Sequence, residues 1–383
     1  LMALLAAMLV ALSCHRGGGT IRASLTPRDS KNQSVAKNPP FSTDNLDNLL
    51  TLALRTPMMT NYNGKESLKE QARPFFHLWM EQHGKEFKAK EELELRLETF
   101  VTNAQTVEFH NDAYAKGWTK YAQTIMNSPF SDMTAEEFSA THLMEAQNCS
   151  ATHVPTAATT PLTDYFDLPR ELPPFVDWRT KGILTPVKNQ KHCGSCWTFS
   201  TSGTLEAHTC LHSAKDWGLD CTTWEGLAEQ QLLDCAWNYD NHGCNGGLPS
   251  HAFEYLKHAD GMHDEDSYPY RAADSPTCQE ASIDSVVVAP VAAVYNVTTR
   301  MEDDLVAAVA HIGPVAVAYQ VAPDFRFYSH GVYDSFNATS NTTVCKDDNM
   351  SVNHAVVAVG FGTTDDNVPY YIIRNSWSKT WGM

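Results

Sequence analysis

The sequence predicts an α+β fold in which a helical unit precedes a second unit that begins with a helix and ends in strands. Apolar residues recur at helical spacing between about positions 75 and 107, whereas runs typical of strands lie at 314–321, 354–360 and 369–374. Between the segment with helical spacing and the segments typical of strands, residues 148–161 contain no cluster of large aliphatic side chains. That composition is typical of an exposed linker between domains.

Composition excludes one class of partner. The 383 residues include 45 acidic and 28 basic side chains, which gives a net charge of −17. Overall charge therefore does not favour binding to a phosphate backbone, and no nucleic-acid partner is expected. Ten cysteines indicate an oxidising compartment with several disulfides.

The first residues indicate export. The apolar run LMALLAAMLVAL at positions 1–12 predicts an incomplete signal peptide over 1–15, because no basic residue precedes the run. Beyond it, no stretch reaches the roughly 18 apolar residues of a membrane helix, so no stable membrane anchor is expected. Six Asn-x-Ser/Thr sequons agree with a secreted or lysosomal/vacuolar protein.

A polar leader and two amphipathic helices are expected before the linker. Residues 16–70 are rich in Ser, Asn, Pro and Thr near their start and predict a flexible leader. A helical unit is expected over 71–142, where the apolar positions with helical spacing are Phe75, Phe76, Trp79, Met80, Leu93, Leu97, Phe100, Ala104 and Val107.

The most informative window is PVKNQKHCGSCWTFS at 186–200. Taken alone, its Cys193-x-x-Cys196 element fits a thiol-disulfide redox pair or half of a zinc site. Neither interpretation explains Gln190, six residues before Cys196, or a strand His354 followed 21 residues later by Asn375-Ser376-Trp377. A second C-x-x-C element is also missing from the sequence.

The segment Cys193-Gly-Ser-Cys-Trp197 matches the C-G-[SA]-C-[WY] signature of papain and the cathepsins at every position. The chain therefore resembles a papain-like cysteine peptidase of the cathepsin L type. This resemblance implies a two-lobed catalytic domain, with a helical lobe and a β-barrel-like lobe, behind a helical inhibitory propeptide. We expect the propeptide over 71–142, a cleavable linker over 143–171, and the peptidase domain over 172–383, lacking its C-terminal end.

Two propeptide motifs support the resemblance to different degrees. The spacing of the family's E-R-F-N-I-N motif is reproduced by Glu92, Arg96, Phe100, Asn103, Val107 and Asn111. The second motif, similar to G-x-N-x-F-x-D, retains Asn127, Phe130 and Asp132, but Asn127 is one residue too far from Phe130 and the Gly is absent. Acid-triggered maturation is expected from protonation of propeptide carboxylates such as Asp132.

The resemblance also assigns catalytic roles. Cys196, at the start of a helix, would be a thiolate paired with the His354 imidazolium. His354 would protonate the leaving amine, while Asn375 fixes its tautomer and Trp377 shields their hydrogen bond. Gln190 and the Cys196 backbone N–H would form the oxyanion hole.

Substrate contacts follow from the same resemblance. Gly246 and Gly247 would let the substrate backbone lie against them as an added strand, since glycine leaves room for that approach. The second subsite would be lined by apolar residues, which are Leu248, Pro249, Ala318, Val352 and Ala355. A preference for an aliphatic or aromatic side chain at that subsite is expected.

Three disulfides are expected. The resemblance pairs Cys193 with Cys244 and Cys235 with Cys278, and nearness in sequence suggests Cys210 with Cys221. With Cys196 as the nucleophile, Cys345 is the cysteine of the expected mature region that remains, and in relatives its partner lies after the Asn-Ser-Trp motif.

The function expected is a cysteine endopeptidase made as a self-inhibited zymogen, with no cofactor and no metal. Its partners would be polypeptide substrates, its own propeptide and cystatin-like inhibitors. Two alternatives stay open: an inactive fragment or propeptide-type inhibitor of other peptidases, and a thiol-disulfide oxidoreductase using Cys193 and Cys196.

Overall fold

The computed structural model describes residues 7–11, 43–55, 64–148, 166–169, 171–214, 218–259, 261–275, 277–280, 291, 293–297, 301–337, 342–345 and 350–383. The chain forms two compact units. The first comprises Leu1–Ala23, Ser139–Val321 and Cys345–Lys379, and the second comprises Ser24–Phe138, Ala322–Val344 and Thr380–Met383.

The α-helices, in chain order, are α1 (Thr43–Arg55), α2 (Gly64–His83), α3 (Lys90–Ala115), α4 (Ala135–His142), α5 (Cys196–His212), α6 (Glu229–Cys235), α7 (Pro249–His258) and α8 (Glu302–His311). The strands are β1 (Ala7–Ala11), β2 (Tyr121–Gln123), β3 (Val176–Asp177), β4 (Ala293–Asn296), β5 (Val315–Tyr319), β6 (Tyr328–Gly331), β7 (Phe336–Asn337), β8 (Thr342–Thr343), β9 (His354–Thr363) and β10 (Pro369–Arg374). None of the described helices is long and apolar enough to cross a bilayer.

Helices α1 to α3 form the core of the second unit. They bury an aromatic cluster that includes Phe76, Trp79 and Phe100, each fully inaccessible to solvent. The polar residues of the first propeptide motif bind backbone: Asn103 donates to Ser131 O and Met133 O at 2.9 Å. Helix α3 therefore forms where its spacing predicted, and its asparagine fixes the turn that follows β2.

The expected flexible leader over 16–70 is wrong where the structure describes it. Helix α1 spans 43–55, and α2 begins at Gly64. Leu46, Leu50 and Leu54 are four residues apart, so they share one helix face and pack into the aromatic cluster. The surrounding Asn, Asp and Thr residues masked this short apolar stripe in the sequence.

The second unit also contains residues 322–344, which follow the expected start of the peptidase domain. Strands β2 and β6 pair antiparallel, and Thr124 N donates to Phe327 O at 2.8 Å. Ser128 Oγ donates to Arg326 O, also at 2.8 Å. The loop that follows β2 is thus bonded to the backbone of 326–327.

The sheet of the first unit has the order β10-β9-β5-β1-β4, with β3 paired to β9. β9 is antiparallel to β5 and β10, and the β5 register places Tyr319 opposite His354. Strand β1, from the segment predicted as a signal peptide, pairs parallel with β4 and β5; the rest of 1–15 lies outside the described residues. The strands expected near 314–321, 354–360 and 369–374 are therefore confirmed.

Helix α5 lies in the interior of the first unit. Its residues from Cys196 to Cys210 are all buried, and Ser200 Oγ donates to Val356 O of β9 at 2.7 Å. The predicted α+β fold, with helices and a sheet meeting in one core, is confirmed.

A buried ion cluster surrounds Lys188 in this unit. Its Nζ lies 2.9 Å from Glu206 and 2.8 Å from Glu229, two carboxylates with almost no solvent exposure. Burial opposes the charge of Lys188, but the two carboxylates raise its pKa above the usual value. Removing either the lysine or the two carboxylates would leave an uncompensated buried charge.

Three disulfides are present, and they are Cys193–Cys244, Cys210–Cys221 and Cys235–Cys278. The first closes a loop of 51 residues between the start of α5 and the segment before α7. Cys345 donates from its sulfur to Gln320 O at 3.2 Å.

Candidate active site

Cys196 occupies the first position of α5, where unbonded backbone N–H groups gather. Its side chain is fully buried. The backbone N–H of Ala355, at the start of β9, donates to Cys196 Sγ at 3.3 Å. Since Ala355 directly follows His354, the helix and the strand bring the two predicted catalytic residues into one site.

Burial keeps both groups neutral in this closed form. It raises the pKa of the Cys196 thiol to about 12, against the opposing effect of nearby N–H groups. It lowers the pKa of His354 to about 4, although the hydrogen bond to Asn375 acts in the opposite direction. At neutral pH the site therefore holds a thiol and a neutral imidazole.

His354 is oriented from one side by Asn375. The imidazole Nε2 donates to Asn375 Oδ1 at 2.8 Å, which leaves Nδ1 as the nitrogen for proton exchange. Trp377 lies over this pair, with its ring centroid 4.7 Å from that of His354, and is 1% exposed. The Asn-Ser-Trp segment thus fixes the imidazole tautomer and excludes water from its hydrogen bond.

Gln190 is held by the serine between those two residues. Ser376 Oγ donates to Gln190 Oε1 at 2.6 Å, so the amide nitrogen must face the other way. Gln190 Nε2 donates to His142 O and Cys193 O, both at 2.9 Å. The backbone carbonyl of His142, the last residue of α4, therefore occupies the donor predicted for the oxyanion.

Residues 142–147 lie along the predicted substrate-binding glycines. Glu145 N donates to Asn245 O at 2.9 Å, and Gln147 N donates to Val352 O at 2.7 Å. Gly246 has a φ of +129°, and a Cβ there would lie 2.8 Å from the Cβ of Met144. A side chain at Gly246 would displace this segment.

Gly247 faces inward. A Cβ on it would lie 2.3 Å from Asn241 Oδ1 and 2.9 Å from the Trp197 ring. Asn241 Oδ1 also accepts from Leu248 N at 3.0 Å. Asn241 therefore fixes the backbone that follows the two glycines.

Met144 packs among most of the residues predicted for the second subsite. Leu248, Ala318, Val352 and Ala355 belong to the same buried apolar cluster as Met144, which is itself 3% exposed. Pro249, the fifth predicted residue, is buried at the first position of α7. A flexible thioether is suited to filling such an irregular apolar space.

The linker expected over 143–171 is wrong at its start. Leu143 and Met144 are 6% and 3% exposed, and they follow directly on α4. These apolar side chains have a buried surface to occupy, so the segment is bound rather than free. Residues 149–165 and 170 lie outside the described residues.

Sequence reasoning missed several supporting residues. Ser376 lies inside the Asn-Ser-Trp motif, and its neighbours could have identified it. Asn353 accepts from Met144 N through its carbonyl at 3.0 Å, and its Oδ1 accepts from Val321 N at 2.7 Å. No local pattern signals either contact, because both join distant parts of the chain.

Among the described residues, one group of potential metal ligands comes together: Cys235, Cys278 and Glu280. The two cysteines are joined in a disulfide. They therefore offer no thiolate to a metal.

Two family models match the chain. The papain family cysteine protease model matches residues 172–383, and the cathepsin propeptide inhibitor domain model matches residues 76–138. The sequence is 41% identical over 310 residues to pro-cathepsin H of Bos taurus, covering 80% of this chain and 82% of that protein. It is 42% identical over 311 residues to the thiol protease aleurain-like of Arabidopsis thaliana, covering 80% and 76%.

Solved proforms share the fold. Digestive procathepsin L 3 from the larval midgut of Tenebrio molitor superposes with a TM-score of 0.63 and 30% identity, covering 81% of this chain and 90% of that one. The proform of the ragweed pollen allergen Amb a 11, a cysteine protease, gives a TM-score of 0.65 and 29% identity, covering 85% and 90%.

Proposed function

The chain belongs to the papain family of cysteine proteases and carries a cathepsin-type inhibitory propeptide domain, and from that premise we propose that Cys196 is its nucleophile. In this proposal the protein is an endopeptidase that attacks peptide carbonyls through Cys196, with His354 as the proton shuttle. The observation that carries the assignment is the contact of the β9 N-terminus with Cys196 Sγ, beside a His354 that Asn375 already orients.

Opening the cleft activates the pair. When residues 142–147 leave, water and substrate reach Cys196 and His354, and the burial that holds both groups neutral is relieved. The pKa of the thiol then falls and that of the imidazole rises, so a proton moves from Sγ to Nδ1. The product is the thiolate–imidazolium pair expected from the family.

The reaction then proceeds in two steps. Thiolate attack on the carbonyl carbon places negative charge on the carbonyl oxygen, where Gln190 Nε2 and the Cys196 N–H stabilise it. His354 donates its proton to the leaving amine, which gives a thioester on Cys196. A water deprotonated by His354 cleaves that thioester, and the acid product leaves with the thiol restored.

The second subsite is proposed to accept an apolar side chain. Leu248, Pro249, Ala318, Val352 and Ala355 provide no counter-charge, and Met144 fills the same apolar cluster in the closed form. A substrate side chain of similar character would replace Met144. We infer a preference for Leu, Phe or Val over Arg or Glu, by about tenfold or more in kcat/KM.

The remaining proposals concern maturation and partners. The propeptide is the intramolecular inhibitor, and we place the cleavage between Asn148 and Leu172, after the bound segment. The mature domain then begins near Leu172, where the family match also starts. Export to a secreted, lysosomal or vacuolar location follows from the leader and sequons. Cystatin-like inhibitors would occupy the cleft that residues 142–147 fill here.

The test compares single substitutions after acid maturation, with cleavage measured on a peptide blocked at both ends. Cys196→Ser should abolish hydrolysis, and Gln190→Ala should lower kcat by about 100-fold while changing KM little. Cys193→Ser is the comparison variant, because it removes the other cysteine of the C-x-x-C element; it breaks the Cys193–Cys244 disulfide and should chiefly impair folding. Full activity in Cys196→Ser would refute the nucleophile. Inactivity of the unsubstituted protein would favour a propeptide-type inhibitor.

A further inference from the structure

Tyr270 lies next to the catalytic groups but has no role in the reaction described above. Its hydroxyl donates to Gln190 O at 2.8 Å and is 2.5 Å from Ser195 Oγ. A phenol has one proton, so the hydrogen bond to Gln190 requires Ser195 to act as the donor in the second contact. One hydroxyl therefore joins the residue of the oxyanion hole to the residue that precedes Cys196.

The Ser195 hydroxyl makes its hydrogen bond to Tyr270 instead of capping the helix. Ser195 is the N-cap residue of α5, where a serine hydroxyl usually accepts from a backbone N–H of the first turn. Its side chain makes no such cap hydrogen bond here, and the residue is fully buried. The helix therefore begins at Cys196 with the Ser195 hydroxyl directed to Tyr270.

Two further contacts fix Tyr270 itself. Its backbone N–H donates to Glu265 Oε1 at 2.8 Å. Its ring packs edge-on against Phe199 of α5, with the ring centroids 4.9 Å apart. The backbone and ring contacts thus hold the hydroxyl in place between Gln190 and Ser195.

We propose that Tyr270 is a positioning residue for peptide hydrolysis, because its hydroxyl fixes the backbone of Gln190 relative to Ser195 and thereby aligns the two oxyanion donors. The inference rests on the proposed roles of Cys196 and Gln190. Both donors must lie within hydrogen-bond distance of one oxygen atom when the tetrahedral intermediate forms. A shift of a few tenths of an ångström between the backbones of the two donors weakens the stabilisation of the tetrahedral intermediate more than it weakens substrate binding.

The primary variant is Tyr270→Phe in the matured protein, which keeps the ring on Phe199 and removes the hydroxyl. We expect kcat to fall about tenfold while KM changes less than twofold. Affinity for a peptide aldehyde, which forms a tetrahedral adduct with the thiol, should fall with kcat. Affinity for a product peptide should not change, because it has no tetrahedral oxygen.

Tyr268→Phe is the matched control. Tyr268 belongs to the same Tyr-Pro-Tyr segment, is buried, and donates through its hydroxyl to Asp234 Oδ2 at 2.8 Å. Its substitution removes an equivalent hydrogen bond away from the nucleophile. Tyr268→Phe should lower the stability of the protein without a fall in kcat at unchanged KM.

Ser195→Ala supplies a second route that does not depend on how Tyr270→Phe folds. It should reproduce the loss in kcat, and the double variant should lose little more than either single one, because both remove the same link. The proposal is overturned if Tyr270→Phe and Ser195→Ala keep the kcat and aldehyde affinity of Tyr268→Phe. Activity that survives in Cys196→Ser would instead overturn the proposed function.

Discussion

The closed cleft, in which residues 142–147 are bound, depends on the side chain of Met144. Met144 is 3% exposed and lies in the apolar cluster with Leu248, Ala318 and Val352. Met144→Ala removes three buried heavy atoms from this cluster. At about 0.8 kcal/mol for each methylene-sized group, the bound segment loses about 2.4 kcal/mol, or roughly a 60-fold shift towards the open cleft.

The assay is the alkylation rate of Cys196 in the unprocessed chain at neutral pH, because a thiol with a pKa of about 12 reacts only after opening. Met144→Ala should raise that rate roughly 60-fold. Glu145→Ala is the control, since Glu145 is the exposed neighbour in the same bound segment. Equal rates in the two variants would refute the reasoning that Met144 holds the cleft closed.

Three further predictions concern stability. Burial lowers the pKa values of His83 and His110 in the folded protein. Because the folded pKa is lowered, the stability of the fold decreases as the pH falls below the usual histidine value of about 6.5. His110→Gln should therefore flatten the pH dependence of propeptide unfolding between about pH 7 and 5. Lys188→Met should destabilise the first unit by about 3–5 kcal/mol in urea unfolding, since it leaves the buried Glu229 carboxylate without its cation, while Glu206 retains Arg374 at 3.6 Å. Asp47→Ala should lower the stability of the second unit by about 2 kcal/mol and speed amide exchange at Ile125 and Met126, while exposed Asn48→Ala should do neither.

The basis of the Asp47 prediction is a contact outside the matched propeptide domain. Asp47 Oδ1, on α1, accepts from Ile125 N at 2.9 Å and Met126 N at 3.0 Å. These amides lie just before the place where the second propeptide motif has an extra residue. The same loop bonds to the backbone of 326–327, and helix α1 supports this irregular turn.

Much of the fold could be predicted because it follows from local patterns. Apolar spacing located α3, β5, β9 and β10, and the window around Cys196 identified the family. Helix α1 was missed because three leucines among polar residues bury too little surface to be recognised without their partners α2 and α3.

The site was only partly predictable for a different physical reason. The family resemblance predicted Cys196, His354, Asn375 and Gln190 as site residues, but it did not predict the state of the cleft. The binding of 142–147 depends on contacts with residues around 245 and 352, which are far away in the chain. Such contacts leave no periodicity in the sequence, so the bound segment was predicted as the start of a cleavable linker.

The most direct test of the account is the pH dependence of Cys196 alkylation in the unprocessed and the matured protein, with the labelled residue identified by mass spectrometry. We predict labelling of Cys196 in the matured protein with a midpoint well below the ordinary thiol pKa of about 8.5. The unprocessed protein should show little labelling up to pH 8, since burial raises the pKa of Cys196 to about 12. A midpoint near 8.5 for Cys196 in both forms, or no label on Cys196 in the matured protein, would contradict the proposed activation of Cys196 by opening of the cleft.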